Sequence, residues 1–236
     1  MLTNSLRDPL TLALLADVRA DSLVPIEQPS SPDILVSADT YQQRFLKYPH
    51  RGTFHSYPEY LHAILLESRR SVTSFVPQPF KLYIRNRRYT PDCYVVENGE
   101  RKVIELKDSG EMTIPPADQV ARFFALHGLQ FEVIANQAVL QHESEARHWL
   151  RLIQALVAAE RYSCDTRRLE RDMLAQCMES QCCVADVLVP GRRDQWQREI
   201  ALYRLLHKHW LETDLKTRYL DYDSELQYVD DLARAA

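Results

Sequence analysis

Glycine is scarce in this chain and never clustered: the five glycines are Gly52, Gly99, Gly110, Gly128 and Gly191. That spacing excludes a Walker-type phosphate loop, a dinucleotide-binding glycine fingerprint and a nucleophile elbow, all of which need glycines close together. Long apolar runs are also missing. Nothing approaches the roughly 18 residues of a membrane span, and the start lacks the basic and then apolar pattern of a secretion signal. A cytoplasmic protein with no membrane association is expected. Cysteine is sparse and odd in number, five in all, which reads as reduced thiols, and the spacing of Cys177, Cys182 and Cys183 matches no common zinc pattern. Positive charge is short as well. A net charge of −4 argues against tight nucleic-acid binding by bulk electrostatics and leaves that work to local basic patches or to partners.

What remains is an ordinary globular composition, 45% hydrophobic and 26% charged over 236 residues, enough for two domains with real cores. The most informative stretch is Tyr89 to Lys107, YTPDCYVVENGERKVIELK. Asn98-Gly99 between two runs rich in Val, Ile and Tyr predicts a two-residue β-hairpin. In that register Glu97 faces Glu100, Tyr94 faces Val103 and Asp92 faces Glu105. Facing carboxylates repel at cross-strand distance, and alternation puts Lys107 on the same face. Two carboxylates and a lysine amid apparently buried runs suit a divalent cation and a polarised water. A solvated face with an ordinary ion pair is the plainer alternative.

The flanking elements follow from periodicity. Residues 1–50 read as an arm to which the sequence assigns no role. It holds a possible helix from Asp8 to Arg19, a proline-rich linker from Val24 to Asp33, and Arg44, Lys47 and Arg51 as possible DNA contacts. A helix begins at Ser56, with Tyr57, Tyr60, Leu61, Ile64 and Leu65 at helical spacing and basic residues closing it. Ser56 and Glu59 form a capping box, which on local sequence outweighs a metal-ligand role for Glu59. Val72 to Asn86 alternates as one half-buried strand. Ala117 to His127 is a helix with Gly128 at its C-cap, and Phe131 to Ala135 is a strand. The expectation is α/β: a mixed sheet flanked by helices. Glu143 to Arg161 reads as a long helix closing this domain, here bounded at 51–161.

From residue 162 to 236 the expected order is three helices and a β-hairpin, the layout of a winged helix. The first helix is capped by Asp165 and carries Leu169, Met173 and Cys177. A short one follows from Cys183 to Val189, and Asp194 caps the third, which runs to His209. The strands are expected over Leu211 to Leu215 and Thr217 to Val229, with a turn at Tyr222 to Ser224. Arg192, Arg193, Arg198, Arg204 and Lys208 could meet phosphates. The carboxylates around them fit a solvated face or a protein-docking module equally well. His207 and His209 point about 200° apart on a helix and cannot share a metal.

Pro91-Asp92 followed by Glu105-Leu106-Lys107 resembles the PD-(D/E)xK nuclease superfamily. With Ser56-x-x-Glu59, Val72, Phe75, Gln78-Pro79 and Arg88-Tyr-Thr-Pro-Asp92, the segment from Gly52 to Ala135 resembles the TnsA endonuclease subunit of heteromeric Tn-type transposases. That resemblance implies a restriction-endonuclease-like fold followed by a mostly helical, winged-helix-like domain. It implies Glu59, Asp92 and Glu105 as the acidic triad with Lys107 as the motif lysine. Mg²⁺, with Mn²⁺ able to substitute, would be held by Asp92, Glu105, the Leu106 carbonyl and Glu59. It further implies cutting of one strand, the 5′ side, at transposon ends, beside a DDE transposase (TnsB-like) and an AAA+ regulator (TnsC-like) docking on the C-terminal domain. The alternatives are a stand-alone restriction or repair nuclease and a non-catalytic DNA-binding or scaffold protein with a decayed nuclease core.

Overall fold

The structure, a computed structural model, describes residues 17–26, 40–85, 87–113 and 115–230. The chain is mixed α/β and divides into two units, one of Met1–Leu66 with Ser71–Gln141 and the other of Glu67–Arg70 with His142–Ala236.

The first unit contains β1 (Val18–Ala20), β2 (Tyr41–Arg44), β3 (Arg51–Phe54), α1 (Tyr57–Ser68, its last two residues counting with the second unit), β4 (Val72–Pro77), β5 (Leu82–Ile84) and β6 (Arg87–Tyr89). After these come β7 (Cys93–Glu97), β8 (Glu100–Lys107), α2 (Ala117–Leu126), β9 (Gln130–Ala135) and α3 (Asn136–Leu140). Its main sheet has the order β4-β7-β8-β9. The first two pairings are antiparallel and β8 to β9 is parallel, so the sheet is mixed, with α2 as the crossover that parallel neighbours require. Helix α2 ends as a Schellman motif. Gly128, at φ 68°, gives its N–H to Ala125 O at 3.1 Å, and the Leu129 N–H reaches Phe124 O at 3.0 Å.

The β7–β8 register is the expected one: Glu97 pairs with Glu100 and Tyr94 with Val103. Asn98 and Gly99 have φ of 51° and 78°, the positive pair that a type I′ turn demands. Val103 carries one face of this hairpin into a core of Phe80, Leu82, Val120, Phe123 and Phe124. Each such side chain contributes about 1.5–3 kcal/mol on burial.

Three expectations are corrected here. The alternation from Val72 to Asn86 is not one strand. Gln78, at φ 50°, breaks it, leaving β4 in the main sheet and β5 in a separate β1-β5-β6 sheet. The described part of residues 1–50 supplies strands β1 and β2 and is strand where the expected helix would end. Of the expected Asp8–Arg19 helix, residues 8–16 lie outside the described residues, and Val18–Arg19 is strand paired with β5. Of the linker, residues 27–33 lie outside them too. Strand β2 pairs with β3, and Tyr41 stacks on Tyr60 at 5.2 Å while Phe45 meets Phe75 edge-on at 5.2 Å. Such ring pairs contribute beyond their buried area. Third, no basic residue stands in the last turn of α1; Arg69 and Arg70 lie just past it.

The second unit contains α4 (Glu143–Arg161), α5 (Arg167–Glu179), β10 (Cys182–Cys183), α6 (Val184–Val187), α7 (Gln195–His207), β11 (Leu211–Glu212) and β12 (Glu225–Tyr228). Helix α4 has the expected bounds but belongs to this unit, so the division falls at Gln141/His142 and not after residue 161. The strands form an antiparallel sheet of order β10-β12-β11. They are shorter than the sequence pattern suggests. Asp214 takes the N–H groups of Lys216 and Thr217 at 3.0 and 3.1 Å, a local side-chain turn that competes with strand formation there. Both expected caps hold in part: Thr166 stands at the N-cap of α5 while Asp165 accepts the Arg167 N–H at 3.1 Å, and Asp194 stands at the N-cap of α7 with its carboxylate on Arg192 and Arg198 instead of the helix N–H groups.

Candidate active site

Strand β7 starts at Cys93, one residue short of Asp92, so the ladder with β8 ends before Glu105. Asp92 Oδ2 takes up the next N–H, that of Leu106, at 2.7 Å. The side chain thus replaces a ladder acceptor, and the Gln78 N–H holds the Asp92 carbonyl at 2.9 Å. Val103, Glu105 and Lys107 alternate onto one face of β8, so the strand that carries Val103 into the core carries the carboxylate and the ammonium further along. Glu105 is 2% exposed. Its Oε1 receives Lys107 Nζ at 2.5 Å, and its Oε2 receives the Tyr89 hydroxyl at 2.6 Å.

The electrostatics follow from this crowding. Burial, then the charge of Glu105 and next that of Glu59, pushes the Asp92 carboxyl up to about 8 despite the Leu106 N–H and Lys107. Burial disfavours the Lys107 ammonium, but its hydrogen bond to Glu105 and the charges of Glu105, Asp92 and Glu59 outweigh that and raise its pKa above the usual value. A charged lysine suits charge stabilisation and not amine nucleophilicity. The Tyr89 phenol is pushed up strongly by burial and by Glu105, and remains a donor. Burial and then Asp92 do the same to the neighbouring Cys93 thiol.

Asp92, Glu105 and Lys107 are brought together. Glu59 lies close enough to act on Asp92 and Lys107 electrostatically, yet its carboxylate serves the helix start. It accepts the His55 N–H at 3.1 Å and the Ser56 hydroxyl at 2.9 Å, while its own N–H reaches Ser56 Oγ at 3.3 Å. The cap therefore engages the N–H of His55, one residue before the one the capping box uses. Two carboxylates and the Leu106 main chain match a hard, oxygen-seeking cation in kind. Among the described residues, no group of three His, Cys, Asp or Glu side chains is arranged to hold a metal.

Tyr89 was missed by sequence reasoning. It stands three residues before Asp92 in Arg88-Tyr-Thr-Pro-Asp92, but its role depends on β6 folding back over β8, which no local pattern encodes.

In the second unit, four of the five candidate DNA-contact residues already have partners within the unit. Arg192 and Arg198 grip Asp194 at 3.0 and 3.2 Å. Arg204 reaches Cys164 O at 2.7 Å and also Thr166 Oγ1, and Lys208 reaches Glu170 at 2.8 Å. Arg193 is exposed and makes no ion pair among the described residues. His207 goes to Glu67 Oε1 at 2.7 Å and His209 to Ser68 O at 2.8 Å, separate partners as their helical spacing requires. All five cysteines are free thiols, and among the described residues no helix is long and apolar enough to cross a membrane.

No known family model matches this chain, and no curated protein matches it in sequence.

Proposed function

We propose that this protein is a divalent-metal-dependent DNA endonuclease of the PD-(D/E)xK type, working as the TnsA-like strand-cutting subunit of a transposase. The observation that carries this reading is the half-buried Asp92 beside the buried Glu105 at the end of the β-hairpin, with charged Lys107 on Glu105. Opposing carboxylates kept in a low-dielectric site at a cost to the fold are characteristic of functional sites. The mixed sheet with its α2 crossover supports a restriction-endonuclease-like fold. In the second unit, the order after α4 of helix, strand, two helices, two strands with sheet order β10-β12-β11 supports a winged-helix-like domain.

Asp92, Glu105 and the Leu106 carbonyl would hold Mg²⁺ or Mn²⁺, with Glu59 free to join by giving up its cap. When bound, the ion would supply a Lewis acid that lowers the pKa of a water and neutralises phosphate charge. Lys107 keeps its proton and places positive charge where the phosphoryl oxygens gain negative charge. Tyr89 fixes the Glu105 rotamer by donating to Oε2. The net charge of −4 supports a subunit recruited to transposon ends by a TnsB-like DDE transposase and a TnsC-like AAA+ regulator.

The test is a nicking assay on transposon-end DNA with Mg²⁺ and the partner transposase, comparing wild type with Asp92→Ala and Lys107→Ala. Loss of one strand's cleavage in both variants is the expected outcome. Equal cleavage by all three overturns the assignment, and efficient site-selective cutting by the single purified chain overturns the subunit role.

A further inference from the structure

A cavity of about 670 Å³ opens between the β5–β6 hairpin and the loop leading into α2. Its lining includes Arg85, Arg87, Arg88, Tyr89, Pro115 and Pro116, with no acidic residue. Its size falls within the range of ligand sites. In a chain whose net charge is −4, three arginines around one cavity, only Arg85 of them paired with a carboxylate, form a local concentration of positive charge. A cavity of about 400 Å³ in the second unit, by contrast, is lined by Glu212, Asp214, Asp223 and Glu225 against a single Arg218 and would repel anions.

Arg85 is partly engaged, pairing with Asp17 at 3.1 Å with its side chain 71% exposed. Arg87 and Arg88 are exposed and make no ion pair among the described residues. Strand β6 is the edge of its sheet, and charge on an edge discourages strand pairing between molecules. That accounts for one basic residue there. It does not account for a cavity walled by three of them and floored by a tyrosine and two prolines. Arginine forks match phosphate oxygens, and flat apolar rings suit a sugar or base.

We propose that this cavity binds the phosphodiester backbone of the polynucleotide strand being cut, with Arg87 and Arg88 on the phosphates. Tyr89 ties the cavity to the chemistry. It lines the wall while its hydroxyl lies 2.6 Å from Glu105, so a single side chain separates the bound backbone from the carboxylates. The nucleotides held are therefore those next to the bond cut. This deepens the nuclease reading and rests on it.

The test measures binding of the full chain to a fluorescent duplex oligonucleotide in chelator, across a salt series. Each lost phosphate contact lowers the slope of log K against log salt by about 0.9. Arg87→Ala with Arg88→Ala should reduce it by about 1.8 and weaken binding on the order of tenfold or more at about 50 mM salt. Arg87→Lys with Arg88→Lys should keep the slope, which separates lost charge from lost fold. Lys81→Ala with Arg122→Ala, outside the cavity, should leave both readouts in place. An unchanged slope in the double alanine variant, or no salt-dependent binding by wild type, overturns the proposal. So does a deoxynucleoside monophosphate that competes as well as the oligonucleotide. A slope that falls as stated in a chain that cuts nothing with Mg²⁺ and its partner supports the cavity and sinks the nuclease reading. Asp92-dependent cutting with an unchanged slope does the reverse.

Discussion

Asp92 Oδ2 accepts the Leu106 N–H at 2.7 Å, across a hairpin whose ladder has already ended. The same carboxyl is pushed up to about 8, first by burial and then by Glu105 and Glu59. Its unfolded value is about 3.9, so the folded state binds this proton more tightly. The resulting contribution to stability is complete below about pH 4, falls as pH rises, and is gone above about pH 8. The depressed carboxyls of Asp165, Asp186, Asp194, Asp214 and Asp221 act in the opposite sense, and lose their contribution only as pH falls below about 4. Denaturant midpoints measured across the window should therefore decline toward pH 8 in wild type. Asp92→Asn, which keeps an acceptor for Leu106, should flatten the decline. On the proposed function, Mg²⁺ should raise the wild-type midpoint at pH 8 and leave the variant unmoved.

Much of this arrangement is legible in the residues themselves. Asn98-Gly99 sets the register, the register places Asp92 by Glu105, and alternation places Lys107 beside them. These are local rules with a period of two. What the sequence conceals depends on contacts distant along the chain. Tyr89 reaches Glu105 only because Gln78 breaks the long alternating stretch and β5 and β6 form a second sheet. Glu59 looks like a capping residue and is one, and only the charges it imposes on Asp92 and Lys107 connect it to the site. In the second unit, the arginines that resemble a phosphate-binding row face carboxylates: Asp194, which i,i+4 spacing selects for Arg198, and Glu170, which comes from another helix and which no local spacing selects.

Tyr89→Phe removes one oxygen and leaves Glu105 Oε2, in a residue 2% exposed, without its donor at 2.6 Å. Stability should fall by about 1–3 kcal/mol in chemical denaturation. If Tyr89 positions Glu105 for cleavage, kcat should fall while KM for DNA changes little. A variant that is destabilised but cuts at the wild-type rate would assign Tyr89 to the fold alone.

Glu170, 5% exposed, is the electrostatic centre of the second unit. It takes the Thr166 hydroxyl at 2.6 Å and Lys208 at 2.8 Å, with Arg204 at 3.9 Å. Glu170→Ala leaves the buried Thr166 hydroxyl without its acceptor and removes a carboxylate shared by Lys208 and Arg204, and should cost about 1–3 kcal/mol in denaturant titration. Lys208→Ala should cost distinctly less, because that side chain is 46% exposed and water screens its pair. Comparable losses from the two changes would contradict the view that the buried carboxylate organises the network.

Two glycines separate the hairpin turn from the site. At Gly99, φ is +78° and an added Cβ would meet nothing within 4 Å, so Gly99→Ala should cost only the left-handed strain, about 1–2 kcal/mol. It should not disturb Asp92, because β4 and β9 hold β7 and β8 in register from either side. At Gly110, φ is +72°, an added Cβ would lie 3.0 Å from Ala135 Cβ, and the Gly110 N–H bonds Lys107 O at 3.1 Å. Gly110→Ala therefore adds a clash against the end of β9 to the same strain, and transmits it to the residue that pairs with Glu105. It should be the more destabilising of the two and should shift the pH midpoint assigned to Asp92, whereas Gly99→Ala lowers stability at every pH and leaves that midpoint in place.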